Sequence, residues 1–137
     1  MDIKKDTLSV INKIIPFAEN NPDIAVTWLY GSRANSTATI QSDFDLAIAF
    51  NSFPSDPLER RLRPELLAID WAQALSIATD SLSVVDINLA PIPLAWEVIS
   101  KGRIIYTKDY LRLYREENRI FSMYELDVLY HRRQYGQ

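Results

Sequence analysis

Two short apolar runs flank a glycine-serine pair, and the second run opens on two aspartates. Ile24–Tyr30 is β-branched and aromatic, which predicts a strand. It leads straight into Gly31-Ser32, and ten residues later comes Asp43-Phe44-Asp45-Leu46-Ala47-Ile48. The order predicted is strand, tight turn, a short helix over 34–38, then a second strand. Alternate strand residues share a face, so Asp43 and Asp45 point one way with Ala47 and Ala49. Phe44, Leu46, Ile48 and Phe50 point the other way, into a core. The only glycines are Gly31, Gly102 and Gly136. One placed at a strand end marks a bend or a close backbone approach. Ser32 can cap the next helix or offer its hydroxyl to an anion. A helix start presents free N–H groups to phosphate.

Two carboxylates side by side on a strand repel each other. A divalent cation relieves that repulsion, and magnesium is satisfied by one or two carboxylates plus phosphate oxygens. Residues 82–89 read as a further strand with an aspartate, Asp86, in its middle. A buried carboxylate is costly unless paired or metal-bound. If this strand lay beside the first acidic one, Asp43, Asp45 and Asp86 would converge beneath the Gly-Ser turn. That layout suits metal-assisted transfer from a nucleoside triphosphate.

Gly31-Ser32-Arg33-Ala34, Ser42-Asp43-Phe44-Asp45-Leu46 and Val85-Asp86-Ile87-Asn88 together resemble the nucleotidyltransferase superfamily that includes DNA polymerase β. The continuation through Pro91, Trp96, Gly102 and Tyr106 is similar to the minimal nucleotidyltransferases that act as antitoxins in HEPN–MNT pairs. Many relatives carry a glycine near Ser36, which this chain lacks. The resemblance implies a nucleotidyltransferase fold and a catalytic triad of Asp43, Asp45 and Asp86 holding two Mg²⁺ ions. It implies nucleotide binding by Gly31, Ser32, Arg33 and Ser42, with Arg33 offsetting phosphate charge. It further implies ATP as substrate, a HEPN ribonuclease toxin as partner, and transfer of AMP to a tyrosine of that toxin.

At 137 residues the chain is expected to form one domain, 1–137, with a core of its own. No cysteine is present, so disulfides and thiol nucleophiles are excluded. His131 is the only histidine, which disfavours Ser-His-Asp and histidine-rich zinc chemistry. A net charge of −3 disfavours direct binding of nucleic acid, which calls for a basic balance. No stretch reads as a signal peptide or a membrane span, and the cytoplasm is the expected compartment.

The rest of the chain alternates. A first helix carries Leu8, Ile11, Ile15 and Ala18, widened by Ile14, with Asp6 or Thr7 as its cap and Pro16 as a kink. Residues 51–57 read as a loop, and 58–76 as a helix with Pro64 a possible break. That helix carries two apolar stripes, Leu58, Leu62, Leu66 and Ile69, and Leu67, Trp71, Ala74 and Leu75, so burial on more than one side is expected. A short helix over 94–101 ends at Gly102 as C-cap, a strand spans Arg103–Thr107, and a long helix runs over 109–134. Its aromatic residues Tyr110, Tyr114, Phe121 and Tyr124, with Val128, either pack on the sheet or meet a partner. The fold class expected is α/β (α+β), a small mixed sheet with flanking helices and a long C-terminal helix. Three other functions fit the residues: a binding-only antitoxin with a vestigial site, an aminoglycoside-type transferase, or a nucleotide sensor.

Overall fold

The computed structural model describes residues 2–135. Strands β1 (Ile24–Tyr30), β2 (Phe44–Phe50), β3 (Leu82–Asp86) and β4 (Arg103–Thr107) form one sheet in the order β3-β2-β1-β4. β1 pairs antiparallel with β2 and with β4, while β2 pairs parallel with β3. The mixed sheet expected from the alternation of elements is present. Helices α1 (Ile3–Asn20), α2 (Pro57–Leu75), α3 (Ile92–Lys101) and α4 (Tyr110–Tyr135) complete the fold.

The sheet is covered on both faces. On one, α1 and α2 bring Ile14, Ala18, Ala68 and Trp71 to Leu29, Leu46 and Ile48. On the other, Ala95, Val98, Leu113 and Ile120 of α3 and α4 meet Val26, Trp28, Ala47 and Ala49. Burial on both sides is why β1 reads as an apolar run broken only by Thr27. Each fully buried large apolar side chain, such as Ile14 or Ile48, contributes about 1.5–3 kcal/mol by removal from water.

Several local expectations are corrected. α1 starts four or so residues earlier than its apolar pattern, because Asp2 caps it by accepting from the Lys4 N–H (2.9 Å). Its buried face is Thr7, Ile11, Ile14 and Ala18, and Leu8 is exposed. Both α1 and α2 continue through their prolines. The 34–38 stretch is a run of turns, with Ser36 at φ 67°. That left-handed backbone is what a glycine there would adopt without strain. α2 buries one stripe, Pro64, Ala68, Trp71 and Ala72, and leaves Leu58, Leu62, Leu66 and Ile69 exposed. β3 ends at Asp86, and 87–89 is a turn. Gly102 is the C-cap of α3 as expected, its N–H donating to the Val98 carbonyl (2.9 Å), and a Cβ there would collide with the carbonyls of Val98 and Leu29. On α4, Tyr110, Tyr114 and Phe121 are mostly exposed. The residues it buries are Leu113, Glu116 and Ile120, and Tyr124 stacks on Trp96 of α3 (4.3 Å between ring centroids).

Candidate active site

β1 delivers the chain to Gly31 at the end of a central strand of the sheet, and there φ is +72°. The bend closes through the Ala34 N–H donating to the Gly31 carbonyl (3.1 Å). Tyr30 pairs with Asp45 across the β1–β2 ladder, so the Asp45 carboxylate lies beside the bend. A side chain at Gly31 would strike Oδ2 of Asp45. Glycine is required here both by the backbone angle and by this close approach.

Asp43 stands just before β2 and is exposed; Asp45 is half-buried. Burial, then the Asp43 carboxylate, then Glu97 of α3 push the Asp45 carboxyl above its ordinary range. The Tyr30 phenol is pushed up to about 12 by burial, by Asp45 and by Glu97. Two carboxylates thus share one sheet face, and the charge of Glu97 on α3 is felt at Asp45. Glu97 carries no signal in the strand pattern. It is, however, the sole carboxylate in the short, mainly apolar α3, which is a legible cue.

Asp86 does not join them. The parallel register sets Asp45 beside Ser83 and Ile48 beside Asp86. Paired residues of parallel strands share a face, so Asp86 lies on the α1/α2 side and Asp43 and Asp45 on the other. There it is buried, accepts from the Asn88 N–H (2.9 Å) and pairs with Arg63 Nη2 of α2 (3.4 Å). The expected convergence of three strand aspartates is therefore wrong. On the active face β3 offers the exposed Ser83 next to Asp45.

Arg33 also differs from expectation. It is buried, and all five of its N–H groups have acceptors. Nε and Nη2 donate to the Ser42 carbonyl (3.1 and 3.0 Å), and Nη2 also donates to the Ile40 carbonyl (3.1 Å). Nη1 donates to Asp6 Oδ2 (3.0 Å) and Thr7 Oγ1 (3.1 Å) of α1. The guanidinium also lies over the Phe44 ring, 4.2 Å from its centroid. No donor remains for a phosphate. Arg33 is a clamp that ties the loop, and with it the start of β2, to α1. Ser42 is part of the same brace, its Oγ accepting from the Thr39 N–H (2.8 Å). Ser32 and the Gly31 backbone are the members of the expected nucleotide set that remain at the open side of the bend.

Among the described residues, no group of three or more His, Cys, Asp or Glu side chains is disposed to hold a metal ion. Magnesium asks for less than a full protein cage. Asp43 and Asp45 lie two residues apart on one sheet face with no cationic partner among the described residues, and burial and then the Asp43 charge raise the Asp45 carboxyl. Two carboxylates without a cationic partner, beside the Gly31 bend, fit a hard divalent cation.

Known proteins carry the same frame. The family model described as polymerase beta, nucleotidyltransferase, matches residues 12–111. The protein adenylyltransferase MntA of Shewanella oneidensis is 32% identical over 97 residues, which is 69% of this chain and 63% of that protein. The chain thus matches somewhat under two thirds of the length of that curated relative. Among solved structures, a toxin–antitoxin crystallised with AMP-PNP superposes with a TM-score of 0.69 at 25% identity, over 90% of this chain and 93% of the other. The complex of a tri-AMPylated HEPN toxin with its MNT antitoxin, from Shewanella oneidensis, gives a TM-score of 0.66 at 22% identity, over 93% of each chain. The latter similarity is one of fold. The family match spans both the Gly31-Ser32 bend and the Asp43/Asp45 pair, and this chain belongs to the polymerase β-type nucleotidyltransferases.

Proposed function

We propose that this chain is an antitoxin that neutralises a HEPN toxin by transferring AMP from ATP to a tyrosine hydroxyl of that toxin. The observation that carries the reading is the Asp43/Asp45 pair set against the positive-φ Gly31 bend, within a family of nucleotidyltransferases. The toxin–antitoxin relatives supply the partner class and the adenylyl group. In the transfer, the tyrosine oxygen bonds to the α-phosphorus, and the bond from that phosphorus to the bridging oxygen of the β-phosphate breaks. Pyrophosphate leaves.

Asp43 and Asp45 would hold magnesium, which neutralises phosphate charge and lowers the pKa of the attacking hydroxyl. A two-ion scheme that relies on Asp86 is not retained; the ATP phosphates complement the two remaining carboxylates. Gly31 and Ser32 orient the phosphates from the bend. The charge of Glu97 on α3 adds to the negative field at Asp45.

The test is co-expression with the cognate toxin. Mass spectrometry should find the toxin heavier by whole AMP units, dependent on Mg²⁺. The double variant Asp43→Asn, Asp45→Asn should leave the toxin unmodified and active. The turning of Asp86 away from the site favours a second reading, in which the chain neutralises by binding alone. If the double variant still silences the toxin at equal expression, that second reading is the correct one.

A further inference from the structure

Two helices carry apolar faces that neither core uses. On the outer side of α2, Leu58, Leu62, Leu66 and Ile69 recur at helical spacing and are all exposed. They make one stripe about 16 Å long at about 1.5 Å per residue. Three carboxylates, Glu59, Glu65 and Asp70, flank it, each within about 80° of Leu62 on a helix that turns about 100° per residue. None of the three has an ion-pair partner among the described residues. Arg60 and Arg61 lie farther round the helix, about 100° or more from Leu62. A groove of about 400 Å³ runs beside the stripe, lined by Leu62, Leu66, Glu59 and Asp70 with Phe50 of β2. The one cation on its lining, Arg63, is already committed to Asp23, the Ser52 carbonyl and Asp86. The open charge of this face is therefore negative.

The end of α4 is its complement. Met123, Leu126, Leu129 and Tyr130 are exposed and lie within about 60° of Leu126. Arg133 continues that stripe by one turn, with Arg132 beside it, and neither arginine is ion-paired among the described residues. Met123 to Arg133 spans about 15 Å, the length of the α2 stripe. Pairing α2 with α2 would set carboxylates against carboxylates, whereas the α4 end brings leucines to leucines and arginines to acids. We propose that the α4 end of one copy docks on the α2 stripe of a second copy of this chain. Leu126 and Leu129 then meet Leu62 and Leu66, and Arg132 and Arg133 meet Glu59 or Asp70. Used reciprocally, the contact closes a two-fold dimer; used once per pair, it extends head to tail. One helix laid on another covers less than the roughly 800 Å² per subunit of a standard interface, so the association is weak and depends on concentration. The proposal does not depend on the transferase reading.

Sedimentation velocity on the full chain, from about 5 to about 200 µM, reads the association directly. The mean mass of the unmodified chain should climb from one copy toward two or more across that range. Two charge-reversed chains sharpen the test. Arg132→Glu with Arg133→Glu makes the α4 end acidic, and Glu59→Lys with Asp70→Lys makes the α2 face basic. Each alone now sets like charges together and should associate at least about tenfold more weakly. Mixed in equal amounts they should associate again, because every α4 end then finds an α2 face of opposite sign. All four positions are exposed, so the melting temperature at low concentration should not move. A chain that stays monomeric at the highest concentration overturns the proposal. So do charge-reversed chains that associate as the unmodified one does, or a mixture that stays monomeric. If the free chain is monomeric throughout and the Arg132→Glu, Arg133→Glu variant instead fails to capture the toxin, the α4 end belongs to the toxin and the proposal falls.

Discussion

Asp45 and Asp86 are two strand aspartates with opposite physical situations. Asp45 has no cationic partner, and its carboxyl is raised by burial and by like charges. A carboxyl whose folded pKa is raised weakens the fold once it ionises. Below its unfolded value near 3.8 it costs nothing, and the cost appears as pH climbs through the raised value. Asp45→Asn should therefore raise the melting temperature of the metal-free protein at neutral pH by a few degrees and abolish transfer. The gap should close as pH falls toward 4, which thermal melts across that range would show. Asp86 is the reverse case, buried and paired with Arg63. Arg63 is further held by Asp23 Oδ2 (3.2 Å) and the Ser52 carbonyl (2.9 Å), and lies over the Phe50 ring. Asp86→Ala leaves that guanidinium short of an acceptor and should cost about 2–4 kcal/mol in urea unfolding. A variant of Asp86 that loses transfer at undiminished stability would return this residue to the active site. Gly31→Ala combines a positive φ with a collision against Asp45, and should cost about 1–3 kcal/mol and most of the transfer activity.

At the scale of elements, the limits of sequence reading become physical. β1 and β4 were legible to the residue, because β-branched runs bounded by Gly31 and Gly102 leave little choice. The alternation within β2 was legible too. The face of Asp86 was not, because period-two alternation fixes directions within a strand and not the register between strands. A slip of one residue reverses every side chain. The role of Arg33 is hidden from the sequence for a related reason: its acceptors Asp6 and Thr7 lie in α1, 26 and more residues away along the chain. The short helix expected at 34–38 gave way to turns, where Asn35 Oδ1 accepts from Thr37 Oγ1 (2.6 Å) and competes with helical bonding. α4 is fastened at a point sequence did not reveal. Glu116 is buried and accepts from Asn88 Nδ2 (3.0 Å), Arg112 Nε (2.9 Å) and Arg119 Nε (3.0 Å). Burial alone would raise its carboxyl, but these donors together hold it below the ordinary 4.5. Its stabilisation is complete above about 4.5 and is lost as pH falls through the lowered value. Glu116→Gln should cost about 2–4 kcal/mol at neutral pH and flatten the acid limb of the stability profile.

Across the whole molecule, charge and greasiness are unevenly shared. The Asp43/Asp45 end collects acids, whereas the outer sides of two helices are apolar. α4 is about 39 Å long at 1.5 Å per residue. Its later turns expose Met123, Leu126, Leu129 and Tyr130. Those side chains are not part of either core, so Leu126→Ser with Leu129→Ser should leave the melting temperature of the isolated chain within about 1 °C. If the toxin docks along α4, the same pair should weaken the complex in a pull-down or by calorimetry. No helix of the described residues is long and apolar enough to cross a membrane.

The anchorage of Arg33 has a practical corollary for anyone preparing this protein. The bracket that steadies the Ser42–Asp43 corner is bolted to Asp6 and Thr7, on the first turns of α1. A protease nick within the first turns of α1 would loosen the corner from behind. Such a sample could be folded, pure and inert, with every acidic side chain intact.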